Sequence, residues 1–186
     1  FAAWCTYKYL NSGPGSVAGC FVHEKHHDNP DLPRFAGWWG HDKKTRFKME
    51  NEFVPIQSAE GWQLSNPPIL SLAAIRASLD TFKQAGGIAP LRNKSKQLTA
   101  YLRFLLQNRL PKHVDIITPN EDLSGCQLSI SIRSDDKTGQ QVFNAIEAAG
   151  VTCDWREPNV IRVAPVPLYN SFTDCVRFVN ILEAAL

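Results

Sequence analysis

Apolar residues recur along this chain in more than one rhythm, and each rhythm predicts a different element. In SNPPILSLAAIRASLDTFKQAGG, residues 65–87, the apolar positions Leu72, Ile75, Leu79 and Phe82 fall three or four apart, which predicts a helix with one buried face. Ser65 or Asn66 can cap it, Pro67 suits its first turn, and Gly86–Gly87 ends it. A second long helix is predicted after Pro90 and stops at Pro111, with Leu91, Leu98, Leu102 and Leu105 inward. Upstream, VAGCFVH, Val17 to His23, reads as a buried strand. Glu24 to Arg34 reads as a polar loop with two prolines.

Beyond Pro111 the rhythm shortens. VDIITP predicts a short strand, and QLSISIR alternates strictly, with Leu128, Ile130 and Ile132 on one face. TGQQVFNAIEAAG predicts a helix ending at Gly150. VTCD and VIRVAPV predict two further strands, and Ser171 with Asp174 caps a last helix to Leu186. The order strand–strand–helix–strand–strand–helix is that of a small α+β unit. A boundary inside the second long helix divides the chain into residues 1–92 and 93–186.

Composition narrows this picture. With 186 residues and 44% hydrophobic content the chain can bury a real core. A formal net charge of +2 gives no reason to expect nucleic acid or an anionic membrane surface as partner. No apolar run approaches the ~18 residues of a membrane span. The start at Phe1 shows neither an initiating methionine nor the regions of a signal peptide, so an upstream part is expected to be missing. Five scattered cysteines without a CxxC pair fit packing as small hydrophobes in a reducing, cytoplasmic compartment.

Four places could carry chemistry. His23-Glu24-Lys25-His26-His27 matches H-E-x-x-H, but that zinc motif works only on a helix. After a strand, His23 and His27 would stand about 13 Å apart, and no metal site is expected. Lys8, between Tyr7 and Tyr9 and ahead of a glycine-rich turn, is either a surface lysine or a desolvated amine able to form a Schiff base. Tyr7 would then offer a phenol to a phosphate or for proton transfer. Arg162, inside the apolar run NVIRVAPV, requires an anion, either an internal Asp or Glu or a substrate carboxylate. In FAGWWGH, Trp38, Trp39 and His41 read as core packing or as an aromatic wall on a loop. Asn66 of SNPP stands at a helix start, where amides bind anions.

Taken in order, WCTYKYLN, GPGSVAG, GWWGH, TRFKM, SNPPIL and IRVAPVPLYNSF resemble kynureninase across essentially the whole chain. The resemblance implies an α/β fold: the C-terminal part of a fold type I pyridoxal-phosphate (PLP) enzyme, with the end of its large domain followed by a small α+β domain. It implies hydrolysis of L-kynurenine or 3-hydroxykynurenine to an anthranilate and L-alanine, in tryptophan catabolism and NAD biosynthesis, by a cytoplasmic homodimer with shared sites. Lys8 resembles the Schiff-base lysine and Tyr7 the tyrosine at the cofactor phosphate. Trp38 and Asn66 resemble positions that reach the neighbouring subunit's cofactor and substrate. Arg162 resembles the arginine on the substrate α-carboxylate. Ser65, Trp39 and His41 are weaker candidates for the aromatic pocket, and at Trp39 the chain departs from a phenylalanine of some relatives. The upstream part should hold the aspartate on the pyridine nitrogen, so the segment alone is expected to be inactive and to expose sheet surface.

Two rivals differ in what they ask of the residues. A cysteine desulfurase or selenocysteine lyase of the same superfamily requires a reactive cysteine on a flexible loop. Cys126 in Ser-Gly-Cys-Gln is the candidate, although it leads directly into the alternating strand. A non-catalytic interaction domain would tolerate alanine at Lys8, Tyr7 and Arg162 and would show no cofactor spectrum.

Overall fold

The computed structural model describes residues 1–29, 31–119 and 123–186. They form two compact units, Phe1–Thr81 and Phe82–Leu186.

In the second unit the alternation of the sequence becomes a layered core. Helix α2 (Ile88–Arg109) is followed by β3 (Val114–Ile116), β4 (Leu128–Ile132), α3 (Gly139–Ala148), β5 (Asp154–Arg156), β6 (Val160–Val163) and α4 (Phe172–Ala185). The strands form one antiparallel sheet in the order β3-β4-β6-β5. Leu128, Ile130 and Ile132 of β4, with Ile161 and Val163 of β6, are buried. They join Leu98, Leu102, Leu105 and Leu106 of α2, Val142 and Ile146 of α3, and Val179 and Leu182 of α4 in one cluster. Each such fully buried Leu or Ile contributes about 1.5–3 kcal/mol. The predicted inward residues of α2 are all buried. Thr138 and Ser171 each make a reciprocal capping box, with Gln141 and Asp174, so α3 and α4 start where their polar punctuation stands.

One strand is displaced from its expected place. VTCD does not form a strand; β5 begins at Asp154. The cause lies at the end of α3, where the Val151 N–H donates to the Ile146 carbonyl and the Gly150 N–H to Glu147. That closure engages Val151 in the helix terminus. Pairing with β6 therefore starts nearer the hairpin turn, and Trp155 packs on Phe143 with ring centroids 5.8 Å apart.

The first unit is built differently. Strands β1 (Ala2–Trp4) and β2 (Gly19–Phe21) pair antiparallel. Single 3-10 turns occupy Glu24–His26, Trp38–Gly40 and Ala59–Trp62, and helix α1 spans Ile69–Gln84. Two expectations fail here. The buried strand over Val17–His23 is only three residues long, and Cys20 and Phe21 are exposed; Val22 alone of its apolar residues is buried. The predicted buried face of α1 is largely open. Leu72 and Leu79 are exposed, Ile75 and Phe82 are half-buried, and Ser78 is its one buried residue. Ile69 and Leu70 are 78% and 89% exposed. The reason is an incomplete partner: the periodic residues are present, but the described residues of this unit leave Leu72 and Leu79 exposed.

Cysteine behaviour follows burial. All five cysteines are free, and burial raises the thiols of Cys153 and Cys175 to about 11. Cys175 lies in the core as a small hydrophobe, whereas Cys20 is exposed. No helix among the described residues is long and apolar enough to cross a membrane.

Candidate active site

Lys8 stands in a turn closed by its own backbone. The Asn11 N–H donates to the Lys8 carbonyl at 2.9 Å, and the Ser12 N–H donates to that of Thr6 at 3.3 Å. Thr6 is buried and its hydroxyl donates to the Val17 carbonyl at 2.6 Å, which pins the turn to the segment entering β2. The Ser78 hydroxyl donates to the Leu10 carbonyl, tying the same turn to α1. Buried small polar residues thus fix the backbone while Tyr7, Lys8 and Tyr9 project outward and are exposed. The Lys8 ammonium lies 5.8 Å from the Tyr7 ring centroid. The dry amine anticipated from the sequence is not dry here, because the surface that would exclude water from it is not supplied by the described residues.

The aromatic loop is held by a close approach of backbones. Gly37 is extended, with φ −140° and ψ 157°, so its backbone angles alone do not demand glycine. Space does: a Cβ there would stand 2.1 Å from the Leu64 carbonyl oxygen, and one on Gly40 2.8 Å from that of Gln63. The Trp39 N–H points at the Leu64 carbonyl at 3.4 Å, and the Ile56 N–H donates to Gly40 at 2.8 Å. This contact brings the Trp38–Gly40 turn beside the segment leading to Ser65 and Asn66, two motifs that are 25 residues or so apart in sequence.

Within the loop the three aromatic candidates separate. Trp38 is 52% exposed and meets Phe47 at 5.5 Å between ring centroids. Trp38 and His41 line a cavity of about 320 Å³ together with Arg46, Met49 and Phe53. Trp39 is not part of that wall; it is half-buried beneath the Arg46 guanidinium, 4.7 Å from its ring centroid. Arg46 also donates from Nη2 to the carbonyls of Trp39 and His41, at 2.9 and 3.3 Å. The His41 Nε2 and the Thr45 hydroxyl are 2.9 Å apart. Arg46, which sequence reasoning passed over, is therefore the clasp of the loop. Its one visible signal was a place inside TRFKM.

Ser65 and Asn66 are both exposed and precede α1 rather than cap it. The helix starts at Ile69, and in its first turn the Leu72 N–H donates a hydrogen bond to the Pro68 carbonyl at 3.0 Å. The H-E-x-x-H segment is a 3-10 turn rather than a strand end. The His23 Nδ1 accepts from the Lys25 N–H at 3.2 Å, and the His27 Nε2 is 3.1 Å from the Val22 carbonyl. Both imidazoles thus face backbone. Pro30, in the loop read over Glu24–Arg34, lies outside the described residues. Among the described residues no cluster of three His, Cys, Asp or Glu could hold a metal.

Arg162 belongs to the second unit, on β6, with its side chain 32% exposed. It pairs with Asp154, its register partner on β5, through both Nε and Nη2. Asp154 in turn accepts from the Arg156 Nη1 at 2.8 Å. Of the two anions the sequence left open for Arg162, the internal one is present. Asp154 was missed because the strand was placed too early, which hid its register with Arg162. Cys126 is half-buried just ahead of β4, and its carbonyl lies 3.5 Å from the Thr99 hydroxyl.

Comparison with known proteins bears on what this set of residues can do. Residues 91–182 match the model of the kynureninase C-terminal domain. The chain is 57% identical over 185 residues to kynureninase from Xanthomonas oryzae pv. oryzae (strain PXO99A), covering 99% of this chain and 43% of that protein. It is 56% identical over 185 residues to kynureninase from Stenotrophomonas maltophilia (strain K279a), with the same coverage. The chain thus spans less than half the length of the curated relatives it matches. Among solved structures, the cystine C-S lyase C-DES superposes with a TM-score of 0.61 at 16% identity, over 81% of this chain and 38% of that one. A variant of that lyase carries glycine covalently linked to its PLP cofactor. The cysteine desulfurase CsdA from Escherichia coli gives a TM-score of 0.60 at 13% identity, over 82% of this chain and 38% of that one. At such identities these likenesses speak for the fold, which is that of the C-terminal part of a fold type I PLP enzyme.

Proposed function

This chain belongs to the kynureninase family, with residues 91–182 as that family's C-terminal domain, and on that premise we propose that it forms part of a PLP-dependent enzyme that cleaves L-kynurenine or 3-hydroxykynurenine hydrolytically to an anthranilate and L-alanine. The observation that carries the reading is the 57% identity to kynureninase along 99% of the chain.

The residues present fit the cofactor in their chemistry. Lys8 offers a primary amine to an aldehyde, and no described residue forms an ion pair with it. Tyr7 offers an exposed phenol and Asn66 an exposed amide to phosphate oxygens. When bound, PLP supplies the electron sink for breaking the bond between Cβ and Cγ. Lys8 Nζ takes and returns the proton at the substrate Cα, and Tyr7 Oη orients the phosphate. Arg162 grips the α-carboxylate, which fixes one end of the substrate. Trp38 and His41 flank its aryl ketone end and keep water from the reacting carbons except where hydrolysis requires it. Ser65 follows Leu64, which touches the loop backbone, and is kept as a weaker candidate for that end of the substrate, while Trp39 acts from behind by supporting Arg46.

Trp38 and Asn66 are exposed on a unit with little core of its own, which supports their role across a homodimer interface, at the partner's site. The exposed apolar face of α1 and the open setting of Lys8 support two further readings. Residues 1–92 complete a larger cofactor-binding domain, with 93–186 as the small domain, and the 186-residue chain is inactive by itself. The cysteine pattern supports a cytoplasmic location. The test is made with the full-length polypeptide that carries this segment, loaded with PLP and given L-kynurenine or L-cysteine in parallel. Release of anthranilate without sulfide is expected. Sulfide from cysteine with no anthranilate from kynurenine would place the enzyme in the desulfurase branch of the fold.

A further inference from the structure

We infer that Asp154 is a positioning residue for substrate binding: it holds one edge of the Arg162 guanidinium so that the other end of the fork faces the substrate carboxylate. This rests on the reading of Arg162 as the carboxylate-binding residue. The geometry begins with the sheet. Ser129, Arg162 and Asp154 are register partners across β4, β6 and β5. They alternate with the buried positions Leu128, Ile130, Ile161 and Val163, and so lie on the sheet face opposite the core.

On that face the contacts divide the guanidinium in two. Asp154 Oδ2 accepts from both Nε and Nη2 of Arg162. A guanidinium carries five N–H groups, so both N–H groups of Nη1 and the second one of Nη2 remain. No described residue engages that end, and Arg162 is about one-third exposed, at 32%. A planar pair of N–H groups with open access is what a carboxylate binds in bidentate fashion. Asp154 is itself held, since its Oδ1 accepts from Arg156 Nη1 at 2.8 Å and that same nitrogen donates to the Trp155 carbonyl at 2.9 Å. A rotamer-rich arginine is thus oriented before the ligand arrives, which removes part of the ordering cost of binding. Two arginines against one aspartate also leave the cluster with one net positive charge, so an anion is still attracted.

The experiment uses full-length protein loaded with PLP and reads the cofactor absorbance during titration with L-alanine and with ethylamine, which lacks the carboxylate. Asp154→Asn is expected to weaken L-alanine about tenfold or more while ethylamine stays within about twofold. With L-kynurenine, KM rises and kcat changes little. If the Asn variant is insoluble, Asp154→Ser removes the same charge and is judged by the same contrast. Unchanged L-alanine affinity, or an equal loss for both ligands, overturns the inference. Arg162→Gln distinguishes this failure from failure of its premise. If Arg162→Gln leaves L-alanine binding intact, Arg162 is not the carboxylate site. If it weakens L-alanine and the Asp154 variants do not, the positioning role alone falls.

Discussion

Replacing Gly37 by alanine tests whether the aromatic loop and the Ser65–Asn66 segment work as one piece. The added Cβ would meet the Leu64 carbonyl oxygen at 2.1 Å and its Cα at 2.4 Å. A carbon prefers about 3.5–4.0 Å from its neighbours, so the two backbones must part by about 1 Å or more. Both sides are backbone, and no flexible side-chain tip can yield instead. Overpacking of this kind costs about 1–3 kcal/mol. The weak Trp39 N–H contact to Leu64 is lost with it, about 0.5 kcal/mol at the low end of hydrogen-bond values. A displacement of about 1 Å in a substrate-positioning element lowers rate by about 100-fold. In the full-length, PLP-loaded protein, Gly37→Ala should therefore cut kcat/KM for L-kynurenine by about that factor. Gly125→Ala is the control, since a Cβ there meets nothing within 4 Å and the variant should behave as wild type. Wild-type kcat/KM together with an unchanged unfolding midpoint for Gly37→Ala would refute the reasoning.

Two other outcomes follow from the second unit. Ile130→Ala, at the centre of β4 and fully buried, should cost about 2–5 kcal/mol in urea unfolding; a cost under about 1 kcal/mol would mean the sheet does not carry the core described. The backbone N–H and then the hydroxyl of Ser171 hold the Asp174 carboxyl below its usual 3.8, helped by the nearby Arg177. A carboxyl whose pKa is lower folded than unfolded adds stability above its ordinary pKa and loses it as pH falls through the lowered value. Asp174→Asn should therefore flatten the loss of stability on the acid side of pH 4; an unchanged acid limb would show the capping box to be idle.

The contrast between the two units explains how much the sequence could reveal. In α2 and β4 the apolar period matched a partner inside the same unit, so Leu98, Leu102, Leu128 and Ile130 were placed correctly from spacing alone. In α1 and β2 the same kind of period is present, yet Leu72, Leu79 and Phe21 are exposed. Periodicity announces that a face wants burial and says nothing about whether the covering surface is in the chain. The candidate residues were legible as types, and their grouping was not. The link between GWWGH and SNPP is a backbone approach whose sequence trace is the glycine at 37, a residue that signals a loop but not which segment lies against it. Trp39 and Trp38 are neighbours in sequence, but the Arg46 clasp sends one beneath the loop and leaves the other on its surface. The pairing of Arg162 with Asp154 depends on hairpin register, and a shift of β5 by three residues was enough to conceal it.

The most direct test of the account is anthranilate fluorescence from L-kynurenine, followed in the full-length polypeptide that carries this segment, with PLP added and Lys8→Ala alongside. The account predicts steady release of anthranilate by the unaltered protein and none above background from the variant. Equal release by both would contradict the assignment of Lys8, and no release by either would contradict the reaction itself.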